Sequence, residues 1–405
     1  MKLFTKSFTQ QEAIPDNAIA AAVEVMGTGR LHRYNRVENE PTEVDLLELE
    51  FARYMQVPYT LACSSGGYAL HVALRAAGIE KGDKVLCNAF TLAPVPGAID
   101  NSGGIPVLVE VDQNYCIDLD DLARKAEASQ AKYFMLSHMR GHIADMDKIM
   151  AICERYNLKL IEDCAHTMGA LWGGKKSGTF GVAACFSTQT YKHLNSGEGG
   201  LLISADAEFM ARAIMYSGSY MLYGAHRAGP SAEVFTKIRF ETPNYSGRMD
   251  NLRAAILRPQ LANLDRQCER WNTRYQVIEK VLQDCSVIRL TDRPKAEQFV
   301  GSTLQFALLE MSQQGIELVV EKSQQRGVVL KWFGADKPNG YTSRYDSWCY
   351  IENMPKLSQT EYHLASLMDM RIPLTFSEQD CQLVAEIIVE IVLEVSLSET
   401  LIGNK

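Results

Sequence analysis

Short apolar runs alternate with helix-like stretches through the first 250 residues, and this alternation constrains the fold more than any other feature of the chain. YTLACSS (59–65) precedes GYALHVALRAAG (67–78), and KVLCNAF (84–90) precedes TLAPVPGAIDNSG (91–103). IPVLVEV (105–111) is followed by LDDLARKAEA (119–128), and KYFMLSH (132–138) by MDKIMAICERYN (146–157); KLIEDC (159–164) and VAACFST (182–188) come next. Strands that alternate with helices predict an α/β unit with a largely parallel sheet. Ligands bind beyond the carboxyl ends of the strands in such sheets. The residues that can carry chemistry do follow strand ends: Ser65 to Gly67, Asp163 and Ser187.

From about Asn251 to Asp284 the pattern is long, helical and rich in Arg, Gln and Leu, which predicts a connection to a second unit. VIRLTD (287–292) and STLQFALLE (302–310) read as strands there, and GIELVVEKSQQRG (315–327) as a helix with a glycine stop. The expected division is 1–255 for a large α/β domain and 256–405 for a smaller α+β domain, as a chain of 405 residues is too long for one small core. The polar stretch Ala335–Ser347 is expected to be a mobile loop.

A net charge of −8 disfavours nucleic acid, which needs clustered Lys and Arg. The start has no signal-peptide core, and no stretch reaches the apolar length of a membrane span, so a cytoplasmic protein is expected. LVAEIIVEIVLEV (383–395) carries Glu386, Glu390 and Glu394 at helical spacing and reads as an amphipathic helix. The ten cysteines include no C-x-x-C pair and no zinc spacing, so reduced thiols and no metal are expected.

Two strings carry the chemistry. LIEDCAHTMGA (160–170) ends an apolar strand on Asp163, and ACFSTQTYKHLNSGEGG (184–200) places Lys192 before a glycine-rich turn. A buried carboxylate needs a cationic partner, and a protonated pyridine nitrogen is one; a helix N-cap role is the bland reading. An acid for a pyridine nitrogen and a lysine amine for an imine together fit a pyridoxal 5'-phosphate (PLP) enzyme. Ser65-Gly66-Gly67 lies between a strand and a helix, where free backbone N–H groups bind phosphate, although a glycine pair alone often only makes a turn.

With SSGGYALHVALRAAGIEKGDKV (64–85), GHIADMDKIMAICERYNLKLIEDCAHTMGA (141–170), FSTQTYKHLNSGEGG (186–200) and RMDNLRAAIL (248–257), the chain resembles the DegT/DnrJ/EryC1/StrS sugar aminotransferases. The resemblance implies the type I (aspartate-aminotransferase-like) PLP fold: a large domain with a mixed, mostly parallel sheet and a smaller C-terminal α+β domain. It implies that Lys192 holds PLP and moves the proton, that Asp163 pairs with the ring nitrogen, and that Ser187 contacts the phosphate. His166 stands where glutamine is commoner; it would lie by the ring and its phenolic oxygen and could titrate near neutrality. The family also implies a homodimer in which one subunit lends an asparagine to its partner's phosphate. Here Ser246 holds that place and Asn244 is displaced by two.

Other departures bear on the ligand. Gly67 replaces a threonine, and Leu92 replaces an aromatic, leaving Phe90 or His166 to stack on the ring. Arg140-Gly141-His142 replaces Tyr-Gly-Gln and puts Arg140 and His142 at the substrate. Arg33 and Lys331, with Arg30 and Arg344, are further cations suited to a carboxylate or a nucleotide diphosphate. The expected reaction moves an amino group from an amino-acid donor, glutamate first, to a carbonyl sugar. A free acidic octulosonate ranks first and a nucleotide-linked keto-sugar second. A PLP-dependent sugar dehydratase, in which histidine replaces the lysine, and a non-catalytic PLP-binding regulator are the alternatives.

Overall fold

The computed structural model describes residues 2–37, 40–336 and 344–403. Residues 337–343 of the polar stretch read as a mobile loop lie outside the described residues. Strands β1 (Tyr59–Cys63), β2 (Lys84–Asn88), β3 (Ile105–Val109), β4 (Tyr133–Ser137) and β5 (Lys159–Asp163) precede a short hairpin, β6 (Leu171–Trp172) and β7 (Lys175–Lys176). β8 (Ala183–Ser187), β9 (Gly200–Ser204), β10 (Ile288–Leu290), β11 (Glu297–Gln298), β12 (Thr303–Leu308), β13 (Lys331–Trp332) and β14 (Leu367–Arg371) follow.

Seven strands join in the order β1-β9-β8-β5-β4-β2-β3. The pairs β2–β3, β2–β4, β4–β5 and β5–β8 are parallel, and β9 runs antiparallel to β1 and β8. This is the mixed, mostly parallel sheet expected. Helices cover both faces, so successive residues of a strand enter different cores. On β4, Phe134 and Leu136 join one apolar cluster, while Tyr133 and Met135 join the other.

The second sheet, β10-β12-β14-β13, is antiparallel throughout and amphipathic. Its even-numbered residues Leu304, Phe306, Met368 and Met370 enter a third core with Ile387, Ile388 and Ile391 of the helix Glu378–Gly403. Its odd-numbered residues turn the other way, as the two-residue period of a strand requires, and Thr303, Gln305, Lys331, Asp369 and Arg371 among them are polar. The helix's glutamates lie outside this core: Lys2 bridges Glu386 and Glu390 at 2.9 and 2.7 Å, and Lys322 meets Glu394 at 2.6 Å. Phe4 and Phe8 from the N-terminus also enter this core. The stretch 251–284 is two helices, Asn251–Leu261 and Leu264–Leu282. No helix among the described residues is long and apolar enough to cross a membrane.

Arg33 is not a ligand-binding cation. Its guanidinium is fully buried against Glu48 at 2.8 Å, and His226 meets the same carboxylate at 3.1 Å. Glu48 also accepts from the Ala62 N–H of β1 at 2.8 Å, so this pair ties the N-terminal segment to the sheet edge. Burial pushes the Glu48 carboxyl up, but Arg33 and His226 outweigh it and hold it down to about 2. A depressed carboxyl stabilises the fold above its unfolded pKa and stops doing so as pH falls through the folded value. Glu48→Gln should therefore strand a buried guanidinium and cost about 3–5 kcal/mol in a urea titration at pH 7. The gap from the parent should narrow below about pH 4; a gap unchanged down to pH 3 would refute the pairing.

Candidate active site

β8 ends at Ser187, and the chain then makes a tight excursion that returns to β9. The Thr188 N–H donates to Gly199 O at 2.9 Å and the Ser196 N–H to Thr188 O at 3.0 Å. Gly199 has φ 154, and a Cβ there would lie 2.2 Å from Thr188 Oγ1, so glycine is required to close the loop. Lys192 rides on this loop with its Nζ 2.8 Å from His166 Nε2. Burial, then the charge of Arg140, lowers the Lys192 ammonium to about 7, against the opposing pull of Asp163. Burial and the neighbouring Lys192 push His166 well below the ordinary histidine value. His166 is thus a neutral imidazole rather than a group that titrates near neutrality.

Asp163 closes β5 opposite Ser137 of β4. Its Oδ2 accepts from Ser137 Oγ at 2.8 Å and its Oδ1 from the Ala165 N–H at 3.1 Å. Each oxygen keeps a free lone pair. Glu162, the preceding residue, turns to the other face, where the Gly178, Phe180 and Gly181 N–H groups and His138 satisfy it. That saturation also removes it as a metal ligand with His138 and Cys164, the one such grouping among the described residues.

Ser65 caps the helix Gly66–Ala77, its Oγ accepting from the Tyr68 N–H at 3.1 Å. Helix N-termini leave N–H groups free for an anion. A Cβ on Gly66 would lie 2.9 Å from Ser187 Cβ, so only glycine lets the helix end meet β8. Gly67 is less confined, with Pro94 Cβ at 3.5 Å from such a Cβ.

A cavity of about 590 Å³ gathers Ser65, Gly66, Gly67, Leu92, Arg140, His166, Ser187, Lys192 and Lys331. It also brings in residues for which the motifs gave no signal: Tyr191, Gln189, Thr303 and Arg371. Arg371 could have been found from β14, LMDMR, where charges alternate with methionines in a strand otherwise buried. Phe90 is fully buried edge-on to Phe333, ring centroids 4.9 Å apart, so it does not stack on a ligand; of the two candidates only His166 is in place. His142 is buried off the cavity and bonds Gln305 Oε1 at 2.7 Å. Gln305 reaches Asp369 at 2.6 Å, and Asp369 pairs with Arg140 at 2.9 Å. His142 therefore supports Arg140 from behind instead of touching substrate. Arg30 pairs with Glu40 and Arg344 with Asp346 away from the cavity. Asn244 and Ser246 are exposed, bonded to each other, and lie outside it.

These residues fit PLP. The glycine-lined helix end that a Cβ would fill suits the phosphate, Asp163 has acceptor capacity for a ring N–H, and Lys192 offers an amine depleted of its proton.

The sequence profile of the DegT/DnrJ/EryC1/StrS aminotransferase family matches residues 15–388. A pleiotropic regulatory protein of Geobacillus stearothermophilus is 33% identical over 60% of this chain and 62% of its own length. GDP-perosamine synthase of Caulobacter vibrioides is 36% identical over 57% of this chain and 58% of its own. The chain thus spans about three-fifths of the length of these relatives. The aminotransferase of Psychrobacter cryohalolentis superposes with a TM-score of 0.83 at 20% identity, covering 97% of this chain and all of that one. The fold is the type I, aspartate-aminotransferase-like one.

Capture of PLP by the cofactor-free protein should report the Lys192 proton. A lowered lysine pKa leaves free amine above about pH 7, so the rate should rise through that pH and level off. Arg140→Met removes a charge that depresses it and should move the midpoint upward. A rate still climbing tenfold per unit at pH 9 would refute the lowered value.

Proposed function

We propose that this chain, which belongs to the DegT/DnrJ/EryC1/StrS aminotransferase family, transfers an amino group from an amino-acid donor to a carbonyl sugar, with PLP as cofactor. The observation that carries the reading is one cavity lined by Lys192, His166, Ser187 and the Ser65–Gly67 helix end, with Asp163 behind its wall and bonded to the lining residue Ala165. Residues 1–255 hold the cofactor in this reading, and 256–405 bring the polar face of the second sheet over the substrate.

Bound PLP supplies an electron sink that carries the amino group between donor and acceptor. Asp163 holds positive charge at the ring nitrogen through the lone pairs that Ser137 and Ala165 leave free. Ser65, Ser187 and the N–H groups of Gly66 and Gly67 bind the phosphate. Lys192 Nζ takes the proton from the donor's Cα, oriented by the neutral His166 at 2.8 Å.

The acceptor we favour is 8-oxo-3-deoxy-manno-octulosonate, aminated to 8-amino-3,8-dideoxy-manno-octulosonate, with L-glutamate as donor. Arg140, Lys331 and Arg371 at one wall support an acidic sugar. The Caulobacter relative's name supports the second choice, a nucleotide-linked keto-sugar. The dehydratase reading would need a histidine in place of Lys192, and His193 is spent on Ser302 at 2.9 Å. The Geobacillus relative's name supports the regulator as the remaining alternative. Ten unpaired thiols suit a cytoplasmic place.

Screening the PLP-loaded protein with glutamate against keto and aldehyde sugars tests the reading: the octulosonate aldehyde should be aminated, and Lys192→Ala should lose at least ~10²–10⁴-fold. Borohydride reduction and peptide mapping should place the pyridoxyl group on Lys192. Amination of nucleotide-linked sugars alone would displace the octulosonate; no amination of any sugar would remove the aminotransferase.

The active unit is a homodimer in this reading, with Asn244 or Ser246 reaching the partner's phosphate. Met221 and Phe240, 75% and 88% exposed in the same segment, support a covering second copy. Sedimentation at assay concentration should show a dimer, and a fully active monomer would overturn this.

A further inference from the structure

The loop that carries Lys192 is closed at its base by its own backbone, where Thr190 adds an N–H bond to Gly197 O at 3.1 Å. Beyond the lysine its anchors come from elsewhere in the chain. His193 is buried, and its Nε2 meets Ser302 Oγ at 2.9 Å. The Ser302 carbonyl accepts from the Ile372 N–H at 2.9 Å, and the Ile372 carbonyl from Trp271 Nε1 at 3.0 Å. The Trp271 ring returns to the His193 ring, centroids 5.0 Å apart, and closes a four-residue bracket. Ser302 precedes β12 and Ile372 follows β14, where Thr303 and Arg371 pair in register and enter the cavity. Asn272 fixes this end of β12, accepting from the Gly301 N–H at 2.7 Å and donating to Phe299 O at 2.9 Å. A second cavity of about 350 Å³, lined by Asn263, Arg266 and Gln267 among others, shares Lys192, His193 and Trp271 with the first.

Resting on the reading that Lys192 is the imine lysine, we propose that His193 is its positioning residue. Through Ser302 and Trp271 it locks the Lys192 loop to the ends of β12 and β14, and its ring keeps the water of the second cavity from the amine. The amine and the strand ends that form the opposite wall then hold one spacing, because a single bracket sets both. Burial is the largest cause of the lowered Lys192 ammonium, so that state depends on the side chains packed around Nζ. Without the imidazole the two cavities would join, and polar cavities of this size hold water. Burial, then the charge of Lys192, pushes His193 down to about 4, so its bond to Ser302 is a neutral one that adds no charge beside the amine.

The test uses the full chain free of cofactor and reads the Lys192 amine directly, by trace acetylation with acetic anhydride across pH and peptide mass analysis. In the parent, labelling of Lys192 should rise with a midpoint of about 7. His193→Ala, and His193→Asn with an amide too short for Ser302, should move that midpoint up by about one unit or more, so that labelling at neutral pH falls about tenfold. His193→Gln, whose amide reaches where Nε2 stood, should restore it. Ser302→Ala breaks the same bond with the imidazole left in place and should shift the midpoint the same way by less. The double variant His193→Ala/Ser302→Ala should shift it no further than His193→Ala alone, as partners in one contact are not additive. Variants that unfold at lower urea yet leave Lys192 labelling centred where the parent has it would overturn the positioning role, and Ser302→Ala alone decides if His193→Ala does not fold. Borohydride mapping of the PLP-loaded parent separates the two claims. Pyridoxyl on another lysine, with the Lys192 midpoint still displaced in the variants, would keep the bracket and remove Lys192 as the imine lysine.

Discussion

An amine poised to lose its proton sits buried beside a wall of positive charge, and that balance sets the electrostatics of the site. Water would hold Lys192 protonated at neutral pH. Burial removes that water, and the charges of Arg140 and Arg371 make a further cation unwelcome. Asp163 pulls the other way, and Ser137 and Ala165 fix its carboxylate with one hydrogen bond to each oxygen. Of the two cations that depress the lysine, Arg140 is paired with Asp369 and Arg371 lies over the ring of Tyr191.

Two periodicities bring these groups together. In the large sheet both faces are buried, so polar side chains can be tolerated only at strand ends or with full satisfaction; Asp163 is the first kind and Glu162 the second. In the small sheet one face is core and the other lines the cavity. Every second residue of β12 and β14 is therefore free to be polar, and Thr303, Gln305, Asp369 and Arg371 occupy those places. The first sheet and its loops contribute the helix end at Ser65–Gly67, Lys192 and Arg140, and the second sheet contributes Lys331 and Arg371.

What could be read in the sequence was what local pattern dictates. The order of strands and helices, the helix end after Ser65 and the strand end at Asp163 follow from hydrophobic spacing and glycine placement over a few residues. The misplaced residues were those whose roles depend on partners far along the chain. Arg33 looked like a spare cation until Glu48 and His226 were seen to enclose it. His142 and Phe90 sit beside motif residues but face Gln305 and Phe333, from the second unit. Arg371 ends β14, and its place in the wall becomes visible only when β14 is set in register against β12 and β13.

The charge of the cation wall is also held constant. Arginine keeps its proton at any physiological pH, so Arg140 and Arg371 do not switch. The buried chain from His142 through Gln305 and Asp369 fixes the orientation of Arg140. Burial keeps the histidines nearby uncharged: His142 and His166 fall well below the ordinary value and His193 to about 4. Among these groups only Lys192, at about 7, has its proton in play near neutrality. In the reaction proposed above, a proton carrier that titrates alone would pass its proton to substrate and recover it without disturbing the neighbouring charges.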